Sequence, residues 1–81
     1  LLDKKLVLNA FLNGLEIINN ILKERKIIKN SLEEINDINL LKKIEKEFFE
    51  DKELSKLNER SNGLYKASFG FFIKFKNEVS D

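Results

Sequence analysis

The sequence predicts a small all-α protein, an antiparallel bundle of three to four helices with an aromatic-rich C-terminal segment. The 81 residues include no proline and only three glycines, so few positions interrupt a helix. Apolar residues recur at spacings of three and four along most of the chain. This length suits one domain, residues 1–81, with a modest core that no disulfide or metal reinforces, because cysteine and histidine are absent.

The first predicted helix runs from about Asp3 to about Lys29. Its apolar stripe follows helical spacing and contains Leu8, Phe11, Leu15, Ile18 and Leu22, and it is widened by Leu12, Ile21 and Ile28. The pair Asn13-Gly14 could divide this segment, since glycine costs about 1 kcal/mol in a helix interior. We favour one helix that continues through this pair, with room for a bend there.

Capping signals define the second helix. Ser31 and Glu34 have the spacing of a capping box, in which each side chain binds the other's free backbone N–H, so a helix is predicted to begin near Ser31. Residues 36–39 interrupt its apolar face with side chains that favour caps and turns. A restart at Asp37 or Asn39 is therefore the alternative.

A short third helix is predicted from about Asp51 to Arg60. Four consecutive charged residues, 50–53, break the apolar pattern that precedes it. It should end at Asn62-Gly63, where glycine can take the left-handed conformation that closes a helix.

The last segment, residues 64–79, fits two patterns. With a period of two it is a strand, and with a period of 3.6 it is a helix. A lone strand would have no partner in an otherwise helical chain, so context favours the helix. The predicted core consists of Leu8, Phe11, Leu15, Ile18, Leu22, Leu41, Ile44, Phe48, Leu57 and Phe72.

Composition argues against an enzyme. Without histidine or cysteine there is no imidazole base, no thiolate nucleophile and no Glu-x-x-His metal motif. Neighbouring carboxylates occur in charged runs that are expected on the surface. Neither of the two candidate calcium loops, residues 36–39 and 50–53, has the central glycine that such a loop needs. We therefore predict no catalytic residue, no metal site and no cofactor.

Charge and hydropathy restrict the partners. The net charge is +1, and lysines are interleaved with acidic residues, whereas nucleic-acid binders concentrate basic residues on one face. No apolar run approaches the ~20 residues that cross a bilayer. Nucleic acid is therefore not an expected partner, and a protein partner is.

Aromatic residues are concentrated near the C-terminus. Five of the eight lie within an eleven-residue stretch, with lysines around them. The first interpretation is a final core element. The second is an excess of aromatic surface that forms a patch for a protein partner or a membrane interface. Both can hold at once.

The same stretch resembles a known family. The run Asn62-Gly63-Leu64-Tyr65-Lys66-Ala67-Ser68-Phe69-Gly70, preceded by Leu54-Ser55-Lys56-Leu57, is similar to the segment after the last long helix in immunity proteins of pediocin-like (class IIa) bacteriocins. The similarity covers about sixteen residues of the 81. Ser68 stands where that family commonly has an acid.

The resemblance implies a cytoplasmic bundle of four antiparallel helices without catalytic groups. Such proteins protect the producer by engaging the mannose permease, alone or in complex with the bacteriocin, and a peripheral membrane contact is compatible with this role. Carried over to this chain, with the exposed aromatic patch, the partner-binding residues are expected to be Leu64, Tyr65, Lys66, Phe69 and Phe71.

A different function class fits the same pattern. The chain could be a helical interaction or assembly domain of a larger surface or scaffold protein, whose apolar faces pack on a neighbouring segment or on a second copy. The sequence leaves the oligomeric state open.

Overall fold

The computed structural model describes residues 3–79 and contains four α-helices in this range. They are α1 (Lys4–Glu24), α2 (Ile38–Glu50), α3 (Lys52–Arg60) and α4 (Leu64–Val79), with a short 3-10 helix (Leu32–Glu34) between α1 and α2. No strand occurs among the described residues, so the all-α class is confirmed and the strand alternative is wrong. The predicted domain, residues 1–81, extends past the described range at both ends.

Helix α1 begins as predicted but ends early. Asp3 is its N-cap, and the Asp3 carboxylate accepts a hydrogen bond from the Lys5 backbone amide at 2.9 Å. The helix continues without a break through Gly14 and ends at Glu24, five residues before the predicted end at Lys29.

The C-terminal end of α1 is a Schellman turn. Lys26 has φ +60°, in the left-handed region. Its amide donates to the Lys23 carbonyl at 3.0 Å, and the Ile27 amide donates to the Leu22 carbonyl at 2.9 Å. These two bonds satisfy carbonyls that a helix end leaves free. Glycine or asparagine usually marks such a turn, and here a lysine occupies it.

Replacing Lys26 with glycine should stabilise the protein. The left-handed conformation costs a non-glycine residue roughly 1 kcal/mol, and glycine removes that cost. Urea denaturation of Lys26→Gly should therefore show a higher free energy of unfolding by about this amount. Lys23→Gly, a matched change inside the helix, should lower it by about 1 kcal/mol. A loss of stability in both variants would show that the turn carries no such strain.

The segment between α1 and α2 is attached to α1 by a buried hydrogen bond. Asn19 Oδ1 accepts from the Leu32 amide at 2.9 Å, and both residues are buried. The Ser31 hydroxyl accepts from the Glu33 amide at 3.2 Å and caps only the short 3-10 helix. Asp37 is the N-cap of α2. The full helix predicted from Ser31 is thus wrong, and the alternative restart at Asp37 is confirmed.

Asp51 connects α2, α3 and the end of α1. One carboxylate oxygen accepts from the Leu54 amide at 3.1 Å as the N-cap of α3, and the other accepts from the Arg25 guanidinium at 2.8 Å. These bonds, the one from Leu54 first, hold the pKa of Asp51 below its ordinary value. Helix α3 therefore follows Asp51 and ends at Arg60, as predicted.

The turn between α3 and α4 lies at the predicted Asn62-Gly63. Asn62 has φ +56° and Gly63 has φ +81°. The Gly63 amide donates to the Asn58 carbonyl at 2.8 Å, while Asn58 Oδ1 accepts from the Lys66 amide at 3.0 Å. Asn58 thereby closes α3 and caps the first turn of α4.

Helix α4 packs antiparallel on α1. The Phe11 and Phe71 ring centroids are 5.2 Å apart, and Gly14, one turn later on α1, lies beside Leu64 and Ser68, which precede Phe71 on α4. The N-terminal half of α1 therefore lies beside the C-terminal half of α4.

Most of the predicted core is correct. Seven of the ten predicted residues are buried, and Phe11 and Leu57 are half-buried. The prediction that Leu8 is a core residue is wrong, because 46% of its surface is exposed. The complete buried set is Leu15, Ile18, Leu22, Ile28, Leu32, Leu41, Ile44, Phe48, Leu54, Phe69, Phe72 and Ile73.

Candidate functional site

The five predicted partner-binding residues lie in the first half of α4 but do not share one surface. Lys66 and Phe71 are exposed, and Leu64 and Tyr65 are half-buried, with Tyr65 packed against the core. Phe69 has no exposed surface. In this conformation only Lys66 and Phe71 are exposed among the five, Phe71 by 45%.

Phe69 is a core residue, which corrects its predicted place on a binding surface. Its ring makes edge contacts with Phe48 and Phe49 of α2, at centroid distances of 6.2 and 6.1 Å. Such edge-to-face pairs are favourable beyond the area they bury. Because α4 is a helix, residues 69 and 71 point in directions about 200° apart, so one is buried while the other is exposed.

Lys66 lies in the electrostatic field of Glu45 on α2. Partial burial raises the pKa of the Glu45 carboxyl, and the positive charges of Lys66 and Lys42 offset part of that rise. Lys66 is itself exposed to solvent.

An apolar cleft lies between the N-terminal half of α1 and the C-terminal half of α4. We call it the α1/α4 cleft; its volume is about 490 Å³. Its rims include Leu12 and Phe75, which are 53% and 54% exposed. The cleft is lined by Leu8, Phe11, Leu12, Leu15, Glu33, Ser68, Phe71, Phe72 and Phe75.

A close contact between α1 and α4 lies beside the cleft, at Gly14 and Ser68. A Cβ atom at Gly14 would lie 2.5 Å from Ser68 Oγ, so only glycine lets α1 and α4 approach this closely. Ser68 is buried, and its hydroxyl donates to the Leu64 carbonyl of its own helix at 2.9 Å. The hydroxyl hydrogen of Ser68 is therefore used within α4.

The polar edge of the cleft comes from the 3-10 helix. Glu33 is the charged residue of the lining. The Lys76 ammonium donates to the Glu33 carbonyl at 2.6 Å and to Asn36 Oδ1 at 3.0 Å, which attaches the C-terminal half of α4 to this segment. The position of the Glu33 backbone at the cleft edge is thus fixed.

The chemistry of the cleft is that of apolar binding. Aliphatic and aromatic side chains dominate its walls, so it can accept apolar side chains or an acyl chain. Across residues 3–79, acidic side chains form no cluster of three that could hold a metal ion. A second cavity, of about 520 Å³, lies by the α1–α2 loop and is lined by charges of both signs, among them Lys43 and Glu47.

Sequence reasoning missed Leu12 and Phe75 as site residues. The available signal was the i, i+4 pairing of Leu8 with Leu12 and of Phe71 with Phe75, which places an apolar ridge beside each core stripe. Both ridges were within the predicted helices, but their proximity depends on the antiparallel packing of α1 and α4.

Comparisons with protein-family models, curated proteins and solved structures gave no match for this chain. Within the described part of the chain, none of the helices has the length and apolar character needed to cross a bilayer.

Proposed function

We propose that this protein is a non-enzymatic protection protein that binds a toxin–receptor complex in the membrane from the cytosolic side. Its target would be a permease engaged by a class IIa bacteriocin. The α1/α4 cleft carries the proposal, because it is a solvent-open apolar surface larger than single exposed side chains would create.

The C-terminal motif supports this assignment. Asn62-Gly63 forms the turn from which α4 starts, and the residues that follow it supply one wall of the cleft. A partner that recognises this wall would contact Phe71 and Phe75, whereas Tyr65 and Phe69 hold the helix in place. Recognition would therefore depend on the C-terminal half of α4.

A protection assay tests the proposal. A sensitive bacterium that carries the mannose permease would express this chain and be challenged with a panel of class IIa bacteriocins. We expect protection against at least one of them. We expect Leu12→Asn to reduce the tolerated bacteriocin concentration roughly tenfold or more, because a polar group replaces an apolar contact at the binding surface.

Ile17→Asn is the matched control. Ile17 is also on α1 and 41% exposed, but it does not line the cleft. Circular dichroism would establish that both variants keep the helical content of the parent. Sensitivity to every bacteriocin with folded protein present in the cell would contradict the proposal and leave an interaction domain of a larger protein as the better reading.

A further inference from the structure

The C-terminal end of α1 and the loop after it carry lysines around an exposed isoleucine. Lys23, Lys26 and Lys29 are exposed, and Ile27 among them is 47% exposed although it is aliphatic. These four residues, with the buried Ile28, line a cavity of about 430 Å³. Among the described residues, no acidic side chain belongs to this lining.

This surface continues onto α2. Ile27 and Lys29 also line the 520 Å³ cavity by the α1–α2 loop, together with Leu40, which is 43% exposed, and Lys43. Two glutamates, at positions 34 and 47, belong to the same lining, so lysines outnumber acidic residues over the two cavities. The basic loop surface, as we call it, consists of Lys23, Lys26, Ile27, Lys29, Leu40 and Lys43.

The lysines of the basic loop surface are not neutralised within the described part of the chain. Among residues 3–79, the ion pairs join Arg25 to Asp51 and to Glu53, and no lysine of this surface takes part in one. A lysine ammonium is a point charge on a flexible stem, which suits anionic groups that are not fixed in one geometry. The surface is therefore available to an anionic partner.

The backbone conformation of Lys26 supports a role for its charge. Its φ of +60° is a conformation in which glycine would be more stable. Residues that break a local rule of stability are concentrated at functional sites. A requirement for positive charge beside Ile27 gives a physical reason for a lysine at this turn.

We propose that the basic loop surface binds a membrane surface that contains anionic phospholipids. The lysines contact the headgroups, and Ile27 and Leu40 enter the boundary between headgroups and acyl chains. Exposed aliphatic side chains surrounded by lysines are the pattern that such an interface favours. Nucleic acid fits less well, because the six residues include no aromatic ring on which a base could stack.

The inference goes beyond the proposed function, because it concerns another surface and another partner. The basic loop surface lies at the C-terminal end of α1, whereas the α1/α4 cleft lies along the N-terminal half of that helix. One surface can therefore be occupied while the other stays open.

Vesicle sedimentation tests the dependence on lipid charge. The chain should sediment with vesicles of phosphatidylcholine and phosphatidylglycerol and stay in the supernatant with phosphatidylcholine alone. Sodium chloride at about 1 M should release it, because the Debye length is then about 3 Å. Failure of the folded chain to bind the mixed vesicles, or equal binding to both kinds, would overturn the proposal.

Single charge changes test the location. Lys26→Gln should weaken binding to the mixed vesicles roughly fivefold, the share of one lysine near an anionic surface. Glu47→Gln should strengthen binding, because it removes a repelled charge from the lining. Lys46→Gln is the matched control, since Lys46 is exposed on α2 and lines neither cavity. An equal loss in Lys26→Gln and Lys46→Gln would overturn the proposed location.

Lys26→Gly separates binding from folding. This variant should bind the mixed vesicles as weakly as Lys26→Gln, although it unfolds at a higher urea concentration than the parent. Binding as tight as that of the parent would show that the lysine at this turn does not contact the membrane, which would also overturn the proposal.

A fluorescent probe tests the insertion of Ile27. The chain has no tryptophan, so Ile27→Trp introduces a single indole. Its emission should shift to shorter wavelengths on the mixed vesicles, whereas Ile17→Trp, at a residue of α1 that is 41% exposed, should not shift. A shift in Ile17→Trp alone would place another face on the membrane and overturn the proposal. Binding to poly-glutamate without binding to vesicles would reassign the surface to an acidic protein. These outcomes are independent of the protection assay.

Discussion

Replacing Phe69 with alanine is expected to lower the free energy of unfolding by about 3–5 kcal/mol. The side chain has no exposed surface and contacts the rings of Phe48 and Phe49, so its removal leaves a cavity between α2 and α4. Small domains have total stabilities of about 5–15 kcal/mol, and those below 100 residues lie toward the low end. Much of the Phe69→Ala protein should therefore be unfolded at 37 °C.

Urea denaturation followed by circular dichroism would measure this loss. Phe69→Leu keeps most of the volume and should retain a measurable transition. Phe75→Ala is the matched control, because the same change on the same helix falls on a residue that is 54% exposed. Equal losses in Phe69→Ala and Phe75→Ala would show that Phe69 is not buried in solution.

Replacing Asn19 with alanine is expected to lower the free energy of unfolding by about 1–3 kcal/mol. Asn19 Oδ1 is the acceptor for the Leu32 amide at 2.9 Å, and Leu32 is fully buried. Without this acceptor, the amide must either stay unsatisfied or reach water by opening the loop. The second route would detach the 3-10 helix from α1.

Two readouts distinguish these consequences. Urea denaturation gives the global loss, and amide hydrogen exchange at Leu32 reports local opening, which should be faster in Asn19→Ala. Asn20→Ala is the control, because Asn20 is exposed on the same turn of α1 and alanine favours the helix. That variant should be as stable as the parent or slightly more so. Unchanged exchange at Leu32 in Asn19→Ala would contradict the anchoring role.

Local capping chemistry explains which boundaries the sequence predicts well. Asp51 satisfies the first backbone amides of α3, and Asn62-Gly63 provides two residues with positive φ. Both effects involve residues within one turn of the boundary, so a single sequence carries the signal. The same reasoning held for Asp3 and for the restart at Asp37.

The wrong boundaries depend on contacts that the sequence does not display. Lys26 adopts a left-handed conformation that its side chain does not favour, and α1 therefore ends without a recognisable signal. Ser31 caps only one short turn because the Leu32 amide donates a hydrogen bond to Asn19, thirteen residues earlier. That Asn19 is the acceptor for the Leu32 amide depends on the tertiary packing of the chain.

The candidate site also combines features that local sequence predicts with features that depend on tertiary contacts. The aromatic segment was predicted as the distinctive region, and its interpretation as a core element is confirmed for Phe69, which is buried, whereas Phe71 is exposed and its contact with a partner stays a prediction. Assigning each aromatic residue to the core or to the surface required knowing that residues 64–79 form a helix and which side of it faces the core. The sequence alone also allowed a strand. The opposite wall, with Leu12, required knowledge that α1 and α4 are neighbours.

The position of α4 in the chain has a consequence for synthesis. This helix is the last of the four to leave the ribosome, yet it supplies four buried residues and covers faces of both α1 and α2. Until it emerges, the apolar side chains of the first three helices that pack on α4 remain exposed to solvent. Nascent chains lacking α4 should therefore be recognised by chaperones and proteases, and folding is completed only after translation has passed the Asn62-Gly63 turn.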